Sequence, residues 1–81
     1  MITNKVATAK PQDNYKIEVY FVNGLHGIFD MTPYLETGVF KKLKNPSFFN
    51  SLRVQYGTLT WPEDIDIAPE TIEAEIRRID S

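Results

Sequence analysis

Residues Tyr15 to Phe21 alternate without a break, with Tyr15, Ile17, Val19 and Phe21 on one face and Lys16, Glu18 and Tyr20 on the other. A period of two built from aromatic and β-branched residues predicts a half-buried strand. Asn23-Gly24 follows at once, the favoured pair for a two-residue hairpin because both central positions need positive φ. The return strand is expected over Leu25–Asp30, where Gly27 marks either a bulge or a close approach of another backbone. A second hairpin is predicted from Arg53–Tyr56 and Leu59–Trp61 around Gly57-Thr58. Pro62 ends it, because proline has no donor for a ladder. Beyond it, Ile65 and Ile67 alternate with Asp64 and Asp66, a strand-like segment with its acids facing water.

The periodicity changes between the hairpins. Thr32-Pro33 and Asn45-Pro46 each combine a polar cap with a proline at the first helical position, and Gly38 closes the first turn. Phe40, Leu43, Phe48 and Leu52 then give the middle region its means of packing on the sheet, as two or three short helical turns rather than one helix. Pro69 opens a C-terminal helix, expected over 69–80, with Ile72, Ile76 and Ile79 at i, i+4 and i+7. Glu70 and Glu73 at its start and Arg77 and Arg78 at its end suit the helix dipole. The first twelve residues are polar and predict a frayed edge strand that Lys10-Pro11 breaks. The pattern as a whole is α+β: a small antiparallel sheet built from two β-hairpins, short helical turns between them, and a C-terminal helix.

Composition sets the scale. A chain of 81 residues supports one domain, 1–81, with one modest core. An apolar fraction of 42% marks it as globular rather than disordered. There is no cysteine, hence no disulfide framework, thiol nucleophile or thiolate metal site. No apolar run matches a signal sequence or a membrane span, so a cytoplasmic location is expected. The net charge of −2 argues against strong phosphate-backbone binding by the whole domain. The charge is uneven, however. Lys41, Lys42, Lys44 and Arg53 lie between Glu36 and Glu63 with no acid among them, whereas seven carboxylates follow from Glu63 to Asp80. That polarity fits solvated surfaces, or a face that steers a partner or a second copy.

Candidate chemistry is sparse. His26 is the single histidine, and its place beside a hairpin turn predicts a solvated imidazole without the orienting partner that a general base needs. Asp30 reads as a turn or cap residue. Glu63, Asp64 and Asp66 lack the glycine-bearing loop of a calcium site, and no serine stands in a nucleophile elbow. Neither a catalytic site, a metal site nor a cofactor is expected, and the chain reads as non-enzymatic. Trp61 is expected to anchor the core across the second hairpin.

Taken in order, Lys10-Pro11, Asp13-Asn14-Tyr15-Lys16-Ile17, Phe21, Asn23-Gly24, Asp30-Met31, Gly38-Val39-Phe40, Phe48-Phe49 and Gly57-Thr58-Leu59-Thr60-Trp61-Pro62 resemble one family, the small bacterial domain of unknown function 2442. The resemblance runs from about Val6 to Ile72. It implies a curved antiparallel sheet with short helices and supplies no catalytic residues. It also implies, for some relatives, an added helix-turn-helix segment or a neighbouring small protein in a toxin–antitoxin-like arrangement. The helix-turn-helix segment has no counterpart in this sequence. Glu63-Asp64 departs from an Asn-Gly-like turn at that place, and Thr71-Ile72-Glu73 from a Leu-Tyr pair.

The function expected from these observations is a protein-interaction module that binds another small protein or itself. Ile72, Ile76 and Ile79 are its expected anchors, as an amphipathic helix laid in a groove, with Tyr20 and Tyr34 as interface aromatics. The alternative is a nucleic-acid-associated regulator with Lys41, Lys42, Lys44 and Arg53 on phosphates. No membrane contact is expected.

Overall fold

The alternation over Tyr15–Phe21 becomes the central strand of the first sheet in the computed structural model, which describes residues 4–79. Strand β2 (Lys16–Phe21) lies between β1 (Val6–Gln12) and β3 (His26–Asp30), and a two-residue strand, β7 (Arg77–Arg78), covers the far edge of β3. The order is β1-β2-β3-β7, antiparallel throughout. A second sheet, β4-β5-β6, is formed by Arg53–Gln55, Thr58–Trp61 and Ile65–Ile67. Two 3-10 turns (Thr32–Tyr34 and Gly38–Lys44) and helix α1 (Pro46–Phe49) connect the sheets, and helix α2 (Pro69–Glu75) leads back to the first. The α+β class is as expected. The two predicted hairpins are both present, each in its own sheet.

The inward faces meet in one core. Ile17, Val19, Phe21 and Phe29 come from the first sheet, Leu59, Trp61, Ile65 and Ile67 from the second, and Met31, Leu35, Leu43, Phe49 and Ile72 from the connections. Trp61 anchors it as expected: its buried indole Nε1 donates to the Phe49 carbonyl at 3.0 Å, which satisfies the polar end of an otherwise apolar side chain. Asn45 caps α1 through a 2.9 Å bond from the Ser47 amide, the device its Asn-Pro pair predicts.

Local geometry departs from the sequence reading in four places. Strand β1 runs through Pro11 instead of breaking there. Phe21 N donates to Leu25 O, so odd-numbered residues of β2 bond toward β3 and even-numbered ones toward β1. Pro11, opposite Ile17, therefore occupies a position whose missing N–H would point out of the sheet, where an edge strand tolerates proline. The β2–β3 loop has three residues, Val22 to Gly24, and of the Asn-Gly pair only Gly24 takes positive φ, at 93°. In the second hairpin the central residues are Tyr56 and Gly57, with φ of 54° and 77°, one position earlier than Gly57-Thr58. Glu63 and Asp64 carry φ of 68° and 63°, so that turn keeps the left-handed geometry without Asn or Gly, at about 1 kcal/mol per residue.

The largest departure is at the C-terminus. Helix α2 ends at Glu75, not at residue 80, and Ile76 turns to φ −67° and ψ 138°. The chain then pairs with β3, Gly27 opposite Arg78 and Ile28 opposite Arg77, and Ile79 N donates to His26 O at 2.9 Å. The open edge of β3 offers backbone donors and acceptors that the end of a short helix does not satisfy. Gly27 makes the pairing possible, as the close-approach alternative foresees: a Cβ there would lie 2.4 Å from the Arg77 carbonyl oxygen. Gly27→Ala is accordingly expected to detach β7, destabilising the fold by about 2 kcal/mol and accelerating amide exchange at Ile79. Hydrogen-exchange NMR checks this, and unchanged exchange at Ile79 would contradict it.

Candidate functional site

Residues opposite one another in an antiparallel pair share a face, so the registers assign the outer surface of the first sheet directly. Thr8, Tyr20 and His26 form one row, Lys10, Glu18, Ile28 and Arg77 a second, and Gln12, Lys16 and Asp30 a third. Ile79, bonded to His26, extends the first row. Tyr20 and His26 stack with ring centroids 3.8 Å apart and planes 8° from parallel. The His26 Nε2 lies 2.9 Å from the Glu18 Oε2. Tyr20 and Ile79 are 40% and 41% exposed, with His26 half-buried between them and Ile28 half-buried in the next row. Among the described residues, this is the one sheet face that combines stacked rings with exposed aliphatic surface.

His26 thus differs from the solvated imidazole expected of it. Its neighbour across the strands supplies an orienting carboxylate, a contact that sequence spacing does not reveal without the register. A histidine held by a carboxylate supplies two of the three members of a nucleophilic triad. Among the described residues, however, no hydroxyl is bonded to His26, and Tyr20 covers a face of its ring. The Glu18 bond and the Tyr20 stack together fix the orientation of the His26 ring on the outer face.

The five expected contact residues separate. Ile72 is fully buried in the core, and Ile76 is half-buried against it. The isoleucine stripe is therefore not a docking helix: the domain's own core covers Ile72, and the helix ends before Ile79. Tyr34 is also engaged, stacked near Phe29 and donating its hydroxyl to Glu75 Oε2 at 2.5 Å. That hydrogen bond, with burial and the Glu75 charge adding to it, pushes the Tyr34 phenol up to about 12. Tyr20 and Ile79 remain, and the fold brings them to either side of His26.

The four basic residues are not gathered into a free stripe. Lys42 pairs with Glu63 and Lys44 with Glu36, whose carboxyl the Lys44 hydrogen bond holds below its usual range. Glu63 also lines a cleft with Arg53, placing a carboxylate among the cations. Phe40 and Phe48 are half-buried and Phe49 is buried, so the aromatics that would stack on bases belong to the packing. Asp30 behaves as the cap residue expected: its Oδ1 accepts from the Thr32 amide at 2.9 Å. Hydrogen bonding to Thr32, aided by Lys16 and Arg77, keeps its carboxyl below the usual value. At the same end of the face, Lys16, Ile28, Asp30, Glu75 and Arg77 enclose a cleft of about 320 Å³. Sequence reasoning missed Tyr56, which is 97% exposed at the tip of the second hairpin. A tyrosine where a two-residue turn favours asparagine is the signal that marks it.

The family model described as a protein of unknown function, DUF2442, matches residues 6–78. No curated protein and no solved structure matches the chain. Among the described residues, no helix is long and apolar enough to cross a membrane.

Two substitutions separate core from surface. Ile72→Ala is expected to lose about 3 kcal/mol of stability, and Ile79→Ala less than about 0.5 kcal/mol, measured by urea denaturation; equal losses would contradict the assignment. Tyr34 supplies a pH test. Its folded-state pKa is raised from 10.0 to about 12, so its contribution is fully present below pH 10 and is lost as pH rises through 12. Tyr34→Phe is expected to cost about 1 kcal/mol at neutral pH, with the gap to the parent closing as both approach the alkaline limit. A gap that persists there would show that the Glu75 bond is not its source.

Proposed function

The chain belongs to the DUF2442 family, and we propose that this domain is a non-enzymatic protein-interaction module whose contact surface is the outer face of the first sheet. The observation that supports this reading most strongly is the Tyr20–His26 stack beside Ile28 and Ile79, on a sheet face that leaves Tyr20 and Ile79 exposed among the described residues. Stacked rings present apolar area that is already ordered, so little side-chain entropy is lost when a partner covers them. The aromatic-aliphatic row borders rows that carry Lys10, Glu18, Arg77 and Lys16, so apolar area that sheds water lies beside charges that can set orientation. The absence of cysteine from the sequence fits a reducing, cytoplasmic setting. The nucleic-acid alternative draws less support, since Lys42 and Lys44 already pair with carboxylates.

A photo-crosslinking amino acid placed in cells at position 20 or 79, with exposed Asn50 as the control site, tests the proposal. Discrete protein adducts at 20 and 79 and none at 50 are expected. Adducts equal at all three sites, or none anywhere, would overturn it.

A further inference from the structure

We infer that the outer edge of β3 is a strand-acceptor site, closed by the chain's own residues 77–79, and that an extended peptide segment of a partner protein exchanges for them. The site is the edge of the sheet rather than its outer face, and it does not depend on what covers that face.

What the edge accepts is shown by what already lies on it. Odd-numbered residues of β3 bond toward β2, so His26, Ile28 and Asp30 direct their backbone groups the other way. Ile79 bonds to His26 and Arg77 pairs with Ile28, but Asp30, next along the edge, has no strand residue opposite it. Gly27 lets a second backbone come close, and it does so for any strand, whatever its side chains. The opposite edge of the sheet is built differently. Strand β1 carries Pro11 and an irregularity between Val6 and Thr8, features that turn incoming strands away.

The segment that fills the β3 edge is lightly held. Strand β7 is two residues long and both are exposed, and its link to the core is the half-buried Ile76. A ladder this short and exposed opens locally at far lower cost than the whole domain unfolds. Release also has somewhere to lead. Helix α2 stops where Ile76 takes a ψ of 138°, although the Ile72, Ile76 and Ile79 stripe and the Glu73–Arg77 spacing favour continuing it. A freed segment therefore extends the helix and leaves β3 open. Strand β7 also sets the chemistry of its replacement. An antiparallel stretch needs one aliphatic residue at the place of Ile76, against the core, and another at the place of Ile79, beside His26. The two positions between them, held by Arg77 and Arg78, face solvent and tolerate many side chains. Main-chain pairing supplies the affinity and the two aliphatic positions the selectivity.

The probe is the chain's own segment supplied in trans, an acetylated peptide of residues 74–79, Ala-Glu-Ile-Arg-Arg-Ile, titrated into the isotope-labelled chain and followed by NMR. Arg77→Pro removes an amide that bonds to β3 and leaves Ile76 in the extended conformation it already has. In the parent the tethered segment competes at an effective concentration in the millimolar range, so Arg77→Pro is expected to bind the peptide at least about ten-fold more tightly. The shifts should fall on the His26, Ile28 and Asp30 amides. Gly27→Ala also loses β7, but its methyl group bars any strand, so this variant should not bind. A peptide with both isoleucines replaced by aspartate should not bind either. In the parent, the Ile28 and Ile79 amides are expected to exchange by local opening, faster than the Val19 amide of the central strand and independently of low urea concentrations. A folded Arg77→Pro that shows no shifts at millimolar peptide overturns the inference, as does binding that survives Gly27→Ala or the aspartate replacements. Exchange at Ile28 and Ile79 no faster than at Val19 overturns it as well, and that result needs no variant.

Discussion

The outer edge of β3 is the constraint on which the rest of the molecule depends. A strand placed there with no neighbour leaves a row of unpaired donors and acceptors, and the chain answers by turning its C-terminal segment out of the helix and onto that edge. Gly27 permits the approach, since any Cβ would meet the Arg77 carbonyl. Three consequences follow. Helix α2 stays short, Ile72 is committed to the core, and Ile79 arrives on the outer face beside His26. The surface proposed for interaction exists because a backbone ladder had to be completed.

Much of the fold was legible in the sequence. Alternation gave β2, the glycine-centred turns gave both hairpins, and Gly27 marked a bulge or a close approach, of which the structure shows the second. Asn45-Pro46 gave the start of α1, and Trp61 gave the core anchor. What was not legible depended on partners distant in sequence. The 69–80 helix was a sound local reading, because Ile72, Ile76 and Ile79 fit a helical stripe and the terminal charges suit a dipole. Competition from the β3 edge overrode it, and no local pattern encodes that competition. Pro11 was misleading in the same way, since whether a proline breaks a strand depends on which side faces the sheet.

The surface was legible only in part. Tyr20 was legible as an interface aromatic and Ile79 only as an anchor on a helix, and their meeting across His26 requires the β2–β3 and β3–β7 registers together. His26 looked solvated because its carboxylate partner, Glu18, lies across a hairpin rather than beside it in the chain. Tyr34 had the composition of an interface residue and instead tethers the end of α2 through Glu75. Side-chain type identified candidates, and the pairing of strands decided among them.

Ile79 joins the Tyr20–His26 face only because Arg77–Arg78 is strand rather than helix. The most direct measurement is a two-dimensional NOE spectrum of the chain in solution. Gly27 and Arg78 occupy a non-hydrogen-bonded antiparallel pair, since the neighbouring pair is joined by the Ile79 N to His26 O bond. A strong cross-peak between the Gly27 and Arg78 α-protons is therefore predicted. Its absence, together with medium-range helical cross-peaks continuing through Arg77, Arg78 and Ile79, would contradict the account.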